Sequence, residues 1–150
     1  MKRKSRLLPP TYFYSILIIA IISHFLYPIT MLIKQPYSFI GIIIVVIGIL
    51  LNIWTDVIFK KRNTTVKPYE APSHLIVEGP FKISRHPMYL GMLVILFGFS
   101  IFLGSIVSFI FPLIYFLIIE YYFIPFEEQK LEEVFEKDFI NYKKRVRRWI

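Results

Sequence analysis

The sequence contains no cysteine, which removes disulfides, thiolate metal ligands and cysteine nucleophiles together. Histidine occurs only at His24, His74 and His86, too scattered for a zinc site, so no metal is expected. No Gly-rich phosphate loop and no Ser/His/Asp arrangement stands out. Acidic residues are outnumbered, ten against eighteen Lys and Arg, for a net charge of +8. Charge is also missing from whole stretches: Leu7 to Ile33 has no Asp, Glu, Lys or Arg, and neither has His86 to Ile119. There is no internal repeat and no low-complexity segment.

What is present is apolar. Hydrophobic residues make up 56% of the 150, and 18% are aromatic. A soluble domain averages about 45–50% apolar, so lipid is the better solvent for much of this chain. With such runs, the basic balance points to anionic headgroups and not to nucleic acid. The run after Lys2-Arg3-Lys4 and Arg6 is too long for a signal peptide, and no small-x-small cleavage site follows it, so an uncleaved first span is expected.

The pattern predicts an all-α polytopic membrane bundle, a single domain over 1–150. Four transmembrane helices are expected near 11–33, 36–59, 87–103 and 105–126. The last two form a tight hairpin turning at Gly104-Ser105, with a kink at Pro112. A polar loop covers 60–86. Residues 127–148 read as an amphipathic helix, with Leu131, Val134, Phe135, Phe139, Tyr142, Val146 and Trp149 on one face, lying along the membrane or capping the bundle. Four spans place every Lys and Arg except Lys34 on one side, which the positive-inside rule makes cytoplasmic, both termini included.

Two stretches on that side carry the chemistry. Arg85 and His86 precede the Pro87 helix start, where unpaired N–H groups and the helix dipole suit a carboxylate or phosphate. Gly91 and Gly98 share a helical face open to close approach by a helix or ligand. Glu127 and Glu128 follow the last span and could receive a cation, so a zwitterion fits between His86 and Glu127. The bland alternatives are snorkelling by Arg85, capping by His86, a belt position for Tyr89 and dipole compensation by the glutamates. Asn52, Asp56 and Glu120 are further polar residues in or near the spans. His24, alone in the first span, reads as a packing residue.

Leu75-Ile76 to Gly79-Pro80-Phe81, then Ser84-Arg85-His86-Pro87-Met88-Tyr89-Leu90-Gly91, resembles the hallmark of the isoprenylcysteine carboxyl methyltransferase and phospholipid methyltransferase families. Their motif is Arg-His-Pro-x-Tyr-x-Gly with a Glu-Glu pair downstream, here Glu127-Glu128. The likeness covers about residues 64–150. It implies an integral membrane enzyme that uses S-adenosylmethionine, with a cofactor pocket at the cytoplasmic end partly covered by the closing helix. The positions matching family cofactor contacts are Ser73, His74, Leu75, Ile76, Phe81, His86, Pro87, Met88, Tyr89, Gly91, Glu127 and Glu128. Arg85, Glu120 and Asn52 are the candidates for contact with the acceptor. The sequence departs from the pattern in three places. Phe81 stands where Tyr is common, Phe135-Glu136 where Phe-Gly is usual, and Phe123 where eukaryotic prenylcysteine enzymes carry an Arg.

The resemblance implies methyl transfer from the sulfonium to a lipophilic or membrane-partitioned small acceptor, with the lipid bilayer as surroundings. The nucleophile is left open among oxygen, nitrogen and sulfur, and no catalytic residue is assigned. Glu120, Glu128 or water could take a proton. The alternatives are a membrane reductase of sterol-reductase type using NADPH, and a non-catalytic scaffold; fold likeness by itself proves no activity.

Overall fold

A computed structural model describes residues 8–27, 30–64 and 72–150. The basic cluster Lys2 to Arg6, Pro28 and the loop residues Lys67 and Pro68 lie outside the described residues. Every regular element among those described is helical.

Helix α1 (Pro9–Leu26) opens with two prolines, whose missing N–H groups fall where a helix leaves N–H groups unpaired anyway. It stops at Leu26, short of the expected residue 33. Tyr27 precedes Pro28 and takes φ −135°, ψ 67°, as the proline ring disfavours a helical residue before it. A single 3₁₀ turn, Tyr37–Phe39, leads into α2 (Ile40–Lys61).

Helix α3 (Pro87–Leu103) has the bounds expected from the sequence. It packs against α2 through glycines. A Cβ on Gly41 would lie 2.4 Å from the Gly98 carbonyl oxygen, and one on Gly98 would lie 2.8 Å from the Gly41 carbonyl oxygen. The two backbones are therefore in contact, as suits helices that associate in lipid by packing more than by hydrophobic exclusion. Gly104 ends α3 at φ 72° and donates its N–H to the Ser100 carbonyl. Its own carbonyl accepts from Leu32 and Ile33 N–H, at 2.7 and 3.2 Å, tying the α1–α2 connection to the turn that follows α3.

After a 3₁₀ turn at Ile106–Phe109, α4 (Ile110–Ile118) passes through a π turn, Ile119–Phe123, into α5 (Ile124–Arg145). Two expectations change here. Pro112 sits in the first turn of α4, where no N–H is needed, so it costs no backbone bond there. The amphipathic segment is not a separate helix beginning at 127, because α5 continues the last span without a break. Pro125 cannot donate to the carbonyl four residues back, and its ring crowds that carbonyl; the π turn just before it relieves both. Helix α5 is interrupted at Glu136, with φ 40° and ψ −113°. It ends at Arg145, and Val146 is extended, so the expected run to 148 is shortened.

Among the described residues three stretches, Pro9–Leu26, Tyr37–Lys61 and Ile106–Arg145, are long and apolar enough to cross a membrane; α3 is shorter. Ile43, Ile47, Leu50 and Ile53 on α2 lie exposed, as lipid-facing residues do. The main core joins Phe13 and Ile16 of α1, Tyr89, Met92 and Leu96 of α3, and Tyr115, Ile119, Phe123 and Ile124. A second core seats α5 on the α2–α3 connection through Ile58, Ile76, Phe81, Phe139 and Tyr142.

Candidate cofactor site

The site grows from the start of α3. Ser84, fully buried, accepts the His86 N–H at 3.1 Å and donates to the Arg148 carbonyl at 3.0 Å. The Arg85 N–H donates to the Arg147 carbonyl at 3.1 Å. The chain after α5 thus lies against the turn that begins α3. Arg85 fixes it further, donating from Nη1 to the Lys143 and Val146 carbonyls at 3.3 and 3.1 Å.

Six ionisable side chains converge there: Arg85, His86, Glu120, Glu127, Glu128 and Arg148. Arg85 Nη2 lies 2.7 Å from Glu128 Oε1, with both side chains almost wholly buried. Arg148 reaches Glu128 Oε2 from Nη2 at 2.8 Å and Glu120 Oε1 from Nη1. Trp149 Nε1 donates to Glu120 Oε2 at 2.8 Å, and its ring packs on Phe116. His86 is buried between the two adjacent glutamates. Its Nε2 is 3.3 Å from Glu128 Oε1 and its Nδ1 is 3.6 Å from Glu127 Oε2. The imidazole stacks on Tyr89 at 5.7 Å with ring planes 12° apart.

Burial alone would lower the His86 pKa, yet the flanking Glu127 and Glu128 carboxylates outweigh it and raise it above the ordinary histidine value. Burial pushes the Glu128 carboxyl up, but His86, Arg148 and Arg85 together hold it well below the usual carboxylate range. Glu128 is saturated with cationic partners. Glu127 is not: among the described residues its buried Oε2 accepts no hydrogen bond.

The other expected residues are distributed as follows. His74, Leu75 and Ile76 line a cleft of about 270 Å³ with Arg62, Val77 and Glu78. Arg62 and Glu78 form a 2.7 Å ion pair at its edge. Ser73 donates to the Asn63 carbonyl at 3.3 Å. Phe81 is buried edge-on to Phe59, and its carbonyl accepts the Tyr142 hydroxyl at 2.6 Å. Pro87 opens α3, and Met88 packs on the main core. Gly91 faces Asn52, whose buried Oδ1 accepts no hydrogen bond. Glu120 is engaged by Arg148 and Trp149, and Phe123 is buried against Tyr12.

Sequence reading missed Ser84, Tyr142, Arg148 and Trp149. Tyr142 and Trp149 counted only as apolar-face positions. Arg148 was one of seven basic residues in the tail, and nothing in its spacing marks it as a partner of residues 120 and 128.

Residues 37–138 match the phospholipid methyltransferase family. An uncharacterised protein of Haemophilus influenzae is 36% identical over 63 residues, which is 42% of this chain and all of that protein.

Proposed function

Since the chain belongs to the phospholipid methyltransferase family, we propose that it is an S-adenosylmethionine-dependent membrane methyltransferase whose cofactor binds beside His86 and Glu127. The observation that carries the reading is the buried Glu127 Oε2, which accepts no hydrogen bond among the described residues and has only the His86 imidazole, 3.6 Å away, as a charged neighbour. A buried carboxylate oxygen without a hydrogen bond is costly unless something donates to it, and the ammonium of the cofactor's methionine moiety is such a donor. His86, as a cation at the α3 N-terminus, suits the carboxylate of the same moiety. The cleft lined by His74, Leu75 and Ile76 is the candidate place for the adenosyl part.

When bound, the cofactor supplies a methyl group already activated on a sulfonium sulfur. The chain's own work is then positioning and exclusion of water. Glu127 and His86 orient the amino-acid end. Tyr89, stacked on His86, fixes the imidazole plane. The α5 helix, held by the Tyr142–Phe81 bond, covers the α2–α3 connection. Glu128 is too fully paired with Arg85 and Arg148 to serve as a proton acceptor. The acceptor is a lipophilic or membrane-partitioned small molecule entering from the bilayer. No arginine is available at Phe123 to bind an acceptor carboxylate, which disfavours a prenylcysteine.

The test is calorimetry of S-adenosylmethionine on the detergent-purified protein and on Glu127→Gln. Loss of one charge-assisted hydrogen bond, roughly 1.5–3 kcal/mol, corresponds to a Kd raised by roughly 10- to 150-fold. A folded wild-type protein that does not bind the cofactor, or equal binding by the variant, refutes this reading.

A further inference from the structure

In an unbroken α-helix two turns take about 7.2 residues, so Glu120 would share a face with Glu127, seven positions on. The π turn Ile119–Phe123 takes up an extra residue between them. The residue that then comes onto the Glu120 side is Glu128, and one guanidinium, that of Arg148, holds both carboxylates. Glu127 is rotated off that face toward His86. The backbone bonds from Ser84 and Arg85 to the carbonyls of Arg148 and Arg147 fix the extended tail that delivers this guanidinium.

We propose that Arg148 is a positioning residue of the methyltransferase site: by clamping Glu120 and Glu128 across the π turn, it assigns Glu128 to the scaffold and leaves Glu127 as the carboxylate that receives the cofactor's ammonium. This rests on the functional reading above. Arg148 does its work through Glu128 and the helix turn, without touching the ligand. Lysine is a poor substitute, because a single ammonium lacks the planar fork that spans two carboxylates.

The experiment is a cycle of S-adenosylmethionine binding to wild type, Arg148→Ala, Glu127→Gln and the double variant, with Arg148→Lys as a milder replacement should Arg148→Ala not fold. Arg148→Ala is expected to weaken binding by at least tenfold in the wild-type background and by under threefold in the Glu127→Gln background, with Arg148→Lys recovering only part of the loss. Equal factors in both backgrounds, or unchanged binding by Arg148→Ala, overturn the proposal and make the tail a matter of stability only. A readout free of cofactor accompanies it: ¹⁵N-histidine NMR of a chain with three histidines. Removing Arg148 leaves more of the Glu128 charge to His86, so the His86 titration moves upward. A His86 signal that does not move overturns the proposal even if wild type fails to bind the cofactor, an outcome that separately refutes the functional reading.

Discussion

The His86 Nε2 and Glu128 Oε1 atoms lie 3.3 Å apart with both side chains buried, at the junction of α3 and α5. The pair links two stretches of chain 42 residues apart, and it sets the pH range in which the site holds together. Burial opposes both charges, and their partners prevail: His86 is raised above 6.5 and Glu128 lowered below 4.5. A raised histidine contributes stability that is full below its unfolded value and is lost as pH climbs through its folded one. A depressed carboxylate contributes stability that is full above its unfolded value and is lost as pH falls through its folded one. The contribution of the pair is therefore greatest between pH 4.5 and 6.5. Thermal unfolding in detergent across pH 3–9 is expected to show that part of the pH dependence flatten in His86→Gln.

The adjacent glutamates separate into two roles. Glu128→Ala strands buried Arg85 without its partner, which costs about 3 kcal/mol or more for a buried pair. Glu127→Ala removes only the longer, 3.6 Å contact to His86, and is expected to cost less stability than Glu128→Ala while weakening cofactor binding. Equilibrium unfolding of the two variants side by side measures the difference; equal losses would contradict the division.

Glu136 stands where the resembling families carry glycine, and it takes φ 40° with ψ −113°. A side chain in that region is strained by about 1–3 kcal/mol, and glycine is not. Glu136→Gly is expected to raise the unfolding temperature, whereas Glu136→Ala, which keeps a Cβ, leaves it nearly unchanged. A fall on Glu136→Gly would show that the break in α5 is not strained.

The cysteine-free chain suits single-cysteine labelling of its topology. Lys34 and Lys137 are both exposed. An impermeant maleimide added to intact expressing cells is expected to label Lys34→Cys, and to reach Lys137→Cys only after permeabilisation. The reverse pattern would invert the orientation argued from charge.

The sequence alone determined the solvent and the bounds of α3. Uncharged runs demand lipid whatever the packing, and Pro87 and Gly104 bound α3 through local backbone chemistry that needs no partner. The Arg85-His86 and Glu127-Glu128 motifs were visible for the same reason: they are short and contiguous. The tertiary structure decided what no local pattern encodes. The π turn before Pro125 shifts the helix phase by a residue, and that shift puts Glu128 in place of Glu127 on the Glu120 side. The tail beyond Arg145 leaves the helical pattern and pairs with Ser84 and Arg85, more than 60 residues away in the chain. A guanidinium that joins residues 120, 128 and 148 is a product of three backbone paths meeting in space, so it leaves no periodic trace in the sequence.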